Sequence, residues 1–316
     1  VLRLPIFGGH RRPNCRPLQE NGQAVDPLAY IAAKAAGARV TMINEAHDMP
    51  QNRAFAAQVA KALRPEGYSL YAGETFYDGI GATGPAWPLM TDGRFVNDPI
   101  YGRLIRSLRS LGYRLVPYED TQPVRLTWTP LEQMTRREIV QARNLETQLK
   151  AAPPDAKLLV HVGYAHLSKA RDAPFKMMAA NFRDDTGIDP LTVDQTQFWS
   201  KTGRYEICDP SAMHVPDSTA IYVGVPITSF PRHRTDWRLQ EGDRFVEIPD
   251  ALRRPAEAAI YEARPVNEPD TAVPMDRVLV RPGEEDMALL LPPGRYRIAV
   301  WTKTAGWSQD EPVTVP

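Results

Sequence analysis

The chain has 316 residues, 43% of them hydrophobic, with Lys plus Arg equal to Asp plus Glu at 38 each. That is ample for a real core and more than one domain normally needs, and the charge balance argues against nucleic acid or an anionic membrane surface as the main partner. No run approaches the about 18 apolar residues of a membrane span, so no integral membrane segment is expected.

The first residues are Val1-Leu2-Arg3 rather than a methionine with a charged-then-apolar leader. This reads as a mature chain whose signal has been removed, exported to a periplasmic or extracellular space, with a cytoplasmic protein left open. Cys15 and Cys208 are the only cysteines. They are either two surface thiols or one disulfide, the latter suiting an exported protein. Residues 1–26 form a basic, Pro-containing arm (Gly8-Gly9-His10-Arg11-Arg12-Pro13) without periodicity, expected to wrap over the first domain.

A short helix over 27–36 carries Leu28, Ile31 and Ala32 on one face, and Gly37 closes it as a C-cap. The apolar run 38–47 (ARVTMINEAH) has the length of one buried strand and stops in Asn44-Glu45-Ala46-His47. Helical spacing of Phe55, Val59, Ala62 and Leu63 follows over 51–63, then a strand over 68–73 that runs into Glu74. The Gly- and Pro-rich stretch 79–88 suits a lid or substrate loop; it lacks the Lys-Ser or Lys-Thr of a phosphate loop. Ile100, Leu104, Leu108 and Leu111 align on a third helix stopped by Gly112, and a strand over 113–118 ends in Glu119-Asp120. Thr129-Pro130-Leu131-Glu132 is a capping box opening a long helix to about residue 151. The strand over 157–162 then runs into Gly163-Tyr164-Ala165-His166.

The alternation of strand and helix predicts an α/β fold, a three-layer α/β/α arrangement with a mainly parallel central sheet. Both histidine endings place His three residues after a residue suited to a tight turn, Asn44 or Gly163, and read as one device used twice. Strand ends at one edge of a parallel sheet share a crevice, so Glu45, His47, Glu74, Glu119 and His166 are expected to gather there. His161, inside its strand, reads as a core residue, and His10, His214 and His233 as loop residues.

Residues 167–183 read as helical, with Met177 and Met178 as core filler, and 191–199 and 220–226 as further strands. From Arg234 onward short strands punctuated by Pro and Gly, with no helix between, predict a C-terminal Ig-like β-sandwich acting as an accessory module. The expected domains are 1–233 and 234–316.

At these residues the chain resembles the superfamily of erythromycin esterases, ChaN haem-binding lipoproteins, and the TraB and Tiki proteins. The resemblance rests on Asn44-Glu45-Ala46-His47, Tyr71-Ala72-Gly73-Glu74, the helix residues Arg137 to Asn144 (REIVQARN) and Gly163-Tyr164-Ala165-His166-Leu167. Asn44 stands where the family has its first glycine. The resemblance implies a hydrolase of ester or amide bonds in small-molecule or peptide substrates. His47 or His166 would activate water, Glu45 and Glu74 would orient or assist, and Arg137 or Arg143 would hold a substrate carboxylate or the oxyanion. Arg53, Glu119, Arg137 and Asn144 are the expected substrate-binding residues. A Tiki-like variant would place a divalent ion (Mn, Co or Zn) on His47, Glu74 and His166. A ChaN-like alternative is a non-catalytic protein binding haem or another small molecule; a third is a site that has decayed, leaving a scaffold. No His-Glu-x-x-His or Cys-x-x-Cys-His motif supports the metal or haem reading locally.

Overall fold

The computed structural model describes residues 12–74, 76–80, 85–123, 127–170, 175–213, 219–308 and 310–316. The arm before Arg12 with His10, residues 81–84 of the expected lid loop, and His214 lie outside the described residues.

Strands β1 (Gln19–Glu20) and β2 (Gln23–Ala24) form a small hairpin before α1 (Pro27–Ala35), which Asp26 caps by accepting from the Ala29 N–H at 2.8 Å. Gly37 does not act as the C-cap: Ala36 occupies that position in right-handed helical geometry. There follow β3 (Val40–Glu45), α2 (Pro50–Leu63), β4 (Tyr68–Gly73), α3 (Pro99–Ser110), β5 (Arg114–Pro117), α4 (Pro130–Lys150) and β6 (Lys157–Gly163). Thr129 and Glu132 form the expected capping box on α4. The expected helix over 167–183 is instead a 3-10 turn (Tyr164–Leu167) followed by α5 (Met178–Thr186), which begins only where Met178 enters the core. Then come β7 (Leu191–Ser200), β8 (Glu206–Ile207) and β9 (Ile221–Pro226).

These strands make a seven-stranded sheet in the order β5-β4-β6-β3-β7-β9-β8, parallel except for β8. Strand alternation divides its side chains between two faces. Val40, Met42, Leu70, Ala72, Leu158 and Val160 pack with Ala142, Leu145, Met178 and Phe182 of α4 and α5. On the other face, Tyr68 and Tyr113 send their hydroxyls to main-chain carbonyls of Ala35 in α1 and Ala60 in α2. Helices therefore cover both faces, which is why β3 and β6 are nearly continuous apolar runs.

Cys15 and Cys208 are joined in a disulfide. It tethers the arm to β8, and Gly224 faces it because a Cβ there would come within 2.6 Å of the Cys15 Cβ. The bond closes a chain segment of 193 residues. Replacing both cysteines by serine is expected to cost about 2–5 kcal/mol of unfolding free energy. A urea midpoint equal to that of the unaltered protein would show that the tether adds no stability.

Two compact units result: residues Val1–Gly84 with Ser107–Ile227, and Pro85–Arg106 with Thr228–Pro316. The division differs from the expected 1–233 and 234–316, because 85–106 belongs with the C-terminal residues. Within that second unit Leu89 bridges Ala272, Arg103 pairs with Asp243 at 2.8 Å, and Arg106 with Glu268. Such pairings are remote in sequence and leave no local signal. Among its described residues the unit contains the first part of α3, α6 (Trp237–Gln240) and seven short strands. Antiparallel β10 (Arg244–Val246) pairs with β13 (Leu289–Leu291). The other five, β11 (Ala259–Pro265), β12 (Asp276–Val280), β14 (Gly294–Thr302), β15 (Gly306–Trp307) and β16 (Glu311–Val315), form an antiparallel sheet centred on β11 and β14. Among the described residues, no helix is long and apolar enough to cross a membrane.

Candidate functional site

The carboxyl ends of β3, β4, β5 and β6 carry the expected polar residues, and β6 lies between β3 and β4. Two clusters meet there. The first centres on Glu45, the last residue of β3, with its carboxylate buried. Arg53, one helical turn into α2, grips it with Nε and Nη2 at 2.8 and 2.9 Å, and His47 Nδ1 lies 2.8 Å from its Oε1. His161 Nε2 lies 3.3 Å from the other oxygen. Burial pushes the Glu45 carboxyl up, but the His161 ring, the His47 bond and the Arg53 guanidinium outweigh it and hold it at about 2. Burial also lowers the His161 imidazole, against the opposing pull of the Glu45 and Glu74 carboxylates.

The second cluster centres on Arg137 of α4. Its guanidinium reaches Glu74 at 2.6 Å, Glu119 at 3.0 Å and His166 Nε2 at 3.1 Å. His166 Nδ1 lies 2.6 Å from Glu138, whose other oxygen accepts from the Met178 N–H at the start of α5. Burial would lower the His166 imidazole, yet Glu74 and Glu138 raise it above its ordinary value. Burial likewise opposes the charge on Glu74, and His166, Arg137 and His47 keep it below the usual carboxylate range. Glu74 also accepts from the Gly163 N–H.

Gly163 joins the two clusters. A Cβ there would stand 2.6 Å from His47 Cε1 and Nε2 and 3.0 Å from Glu74 Oε2. Its backbone is ordinary extended chain (φ −83°), so glycine is needed for close approach rather than for a turn. Gly163→Ala should displace the His47 ring, a movable group, at small cost in stability. The expected result is a fall of about 100-fold in turnover with a nearly unchanged melting temperature. Unaltered turnover would mean the ring does not work from this position.

Several expectations need correcting. The two histidine endings are not one device, since Glu45, not Asn44, aligns with Gly163 in the sheet. Asn44 is a buried strand residue and makes no left-handed turn; Tyr164 does (φ 37°), its carbonyl accepting from Asn44 Nδ2 at 2.9 Å. Arg143 is exposed and shares no hydrogen bond with the cluster among the described residues. At 3.6 residues per turn it points about 120° away from Arg137. Arg53 is not a substrate ligand, because its side chain is buried and committed to Glu45 and the His47 carbonyl. Asn144 is occupied too, donating to the carbonyls of Tyr118 and Glu119 and so shaping the end of β5.

The set His47, Glu74 and His166 does not fit a divalent ion. The Arg137 guanidinium bonds both Glu74 and His166 Nε2, occupying the donor atoms an ion would need and placing positive charge beside them. Among the described residues no group of three or more His, Cys, Asp or Glu is arranged to hold a metal. Sequence reasoning missed Glu138 and set His161 aside. The available signal for Glu138 was an acid beside Arg137 on the helix face that continues through Gln141, Ala142, Leu145 and Leu149; for His161 it was a polar residue inside an otherwise apolar strand.

No family model matches the chain, and no curated protein sequence matches it. Similar solved structures include the type III effector HopBA1, at 17% identity over 67% of this chain and 97% of that one, with a TM-score of 0.42. Another is RRSP, a MARTX toxin effector domain from Vibrio vulnificus CMCP6, at 15% identity, 65% and 38% coverage and a TM-score of 0.40. A third, described as bacterial protein toxins, has 15% identity, 64% and 39% coverage and a TM-score of 0.39. At this distance they assign no activity.

Proposed function

We propose that the chain is a metal-independent hydrolase of ester or amide bonds, grouped by the layout of its site with the erythromycin esterase, ChaN, TraB and Tiki proteins. The observation that carries the reading is the Glu45–His47 pair at 2.8 Å, which fixes the imidazole by Nδ1 and leaves Nε2 beside Gly163. A carboxylate-oriented imidazole of this kind, with its side chain 32% exposed, is suited to general-base work.

In this mechanism His47 Nε2 takes a proton from water as the hydroxide oxygen bonds to the carbonyl carbon. The carbonyl electron pair moves onto oxygen, where the fixed charge of Arg137, 36% exposed, stabilises it. Collapse of the tetrahedral adduct breaks the bond to the leaving group, which receives the proton held by His47. Glu119 and Glu138 keep Arg137 and His166 aimed; they do not react. The Cys15–Cys208 disulfide supports export, and the antiparallel strands of the second unit support an Ig-like accessory role.

The test is hydrolysis of a panel of p-nitrophenyl esters and peptide anilides by protein dialysed against EDTA. Turnover of at least one member, insensitive to the chelator, is expected. Turnover that appears only after adding Mn, Co or Zn, or none at all, would overturn the reading.

A further inference from the structure

The five-stranded sheet of the second unit has two faces of different chemistry. Alternation along the strands sends Tyr261, Ala263, Val278, Ile298 and Val300 into the apolar core of the unit. The residues between them point the other way, and the cross-strand register sorts them into rows. One row is apolar, running Leu279, Ile260, Trp301 and Trp307 across four strands. The next runs Arg277, Glu262 and Ala299, so a small side chain sits among bulky ones. Ala299 lines a cavity of about 370 Å³, within the usual range of small-ligand sites, about 300–1,000 Å³.

The walls of this cavity differ in kind. Trp307 forms one of them, and although it lies opposite Trp301 it is 53% exposed, so an indole is left facing water at the rim. The polar wall is already balanced. Glu262 is buried and accepts from both Arg264 and Arg277, while Asp270 and Asp310 share the Arg297 guanidinium. The wall is nevertheless accessible, with the Arg277 side chain 31% exposed and that of Asp270 83% exposed.

That inventory selects a ligand chemistry. Carboxylates set against guanidiniums leave little net field to draw an ion, but their remaining N–H groups and lone pairs suit a hydroxyl, which both donates and accepts. The indole face suits C–H groups. A pyranose carries both, with ring C–H groups on its faces and hydroxyls around its edge. We propose that this cavity binds a neutral saccharide, one pyranose ring lying against Trp307 with its hydroxyls turned to Asp270 and Arg277. An acidic sugar suits the site less, because Asp270 and Asp310 stand in its lining. The site belongs to the second unit and does not depend on the hydrolysis proposed for the first.

The test titrates the whole chain by calorimetry with cellohexaose, maltohexaose, mannohexaose and chitohexaose, and with tetragalacturonate as an acidic counterpart. At least one neutral oligosaccharide should bind with a Kd of about 1 mM or tighter. Trp307→Ala should weaken that binding by about 10-fold or more, with Trp307→Phe between, since it keeps a smaller ring. Asp270→Ala should weaken it by about 3-fold or more, the loss of one hydrogen bond. Both side chains stand largely in water, so the melting temperatures of the variants should match that of the unaltered protein, which makes the loss local to the site. Binding of none of the four neutral sugars, tighter binding of tetragalacturonate, or unchanged affinity in Trp307→Ala or Asp270→Ala overturns the assignment.

Discussion

His47→Ala is expected to lower kcat/KM for any ester the protein hydrolyses by about 10²–10⁴-fold, the range that a positioned general base contributes. The substitution removes a side chain 32% exposed, and it leaves the Glu45–Arg53 fork in place. Circular dichroism and the melting temperature should therefore change little while turnover collapses. His47→Gln should be nearly as inactive, because an amide can keep the contact to Glu45 yet cannot take a proton from water. Retention of more than a tenth of the rate in either variant would assign the base elsewhere.

The second large effect concerns stability. Glu45→Gln leaves Arg53 buried without its counter-charge, a loss of about 3–5 kcal/mol for a broken buried pair. Its pH dependence follows from the carboxyl being lowered from 4.5 to about 2 in the folded protein. A group whose folded value is depressed stabilises the fold above its unfolded value, and that contribution drains as pH falls from about 4.5 toward 2. The shift corresponds to roughly 3 kcal/mol. Unfolding free energies of the two proteins should thus differ most at pH 7 and converge toward pH 2. Glu74 and Asp276 are also depressed, so both curves fall in acid, and only their separation reports on Glu45. Parallel curves would mean that the Glu45 charge contributes nothing to the fold.

Much of the first unit is legible locally. The runs at Val40–Glu45, Tyr68–Gly73 and Lys157–Gly163 are largely apolar because the sheet is covered on both faces, and each gives way to polar residues at its carboxyl end. Helix α4 is announced by its capping box. The choice between Arg137 and Arg143 is different. Both lie on that helix, and only the rotation of α4 against β5 and β6 decides which reaches Glu74 and Glu119. Arg53 could be read as a substrate ligand because nothing in the sequence says that its partner is the carboxylate of the preceding strand.

By itself the sequence determined that Glu45, His47, Glu74, Glu119 and His166 stand at strand ends, because hydrophobic periodicity and helix caps depend on neighbours a few residues away. The tertiary structure alone decided that β6 inserts between β3 and β4, bringing Gly163 under His47 and Glu74 and His161 against Glu45. It also set Arg12 on Trp199, and 85–106 with the C-terminal strands. Those outcomes depend on pairings between segments up to nearly two hundred residues apart, and packing, not local conformational preference, selects among them.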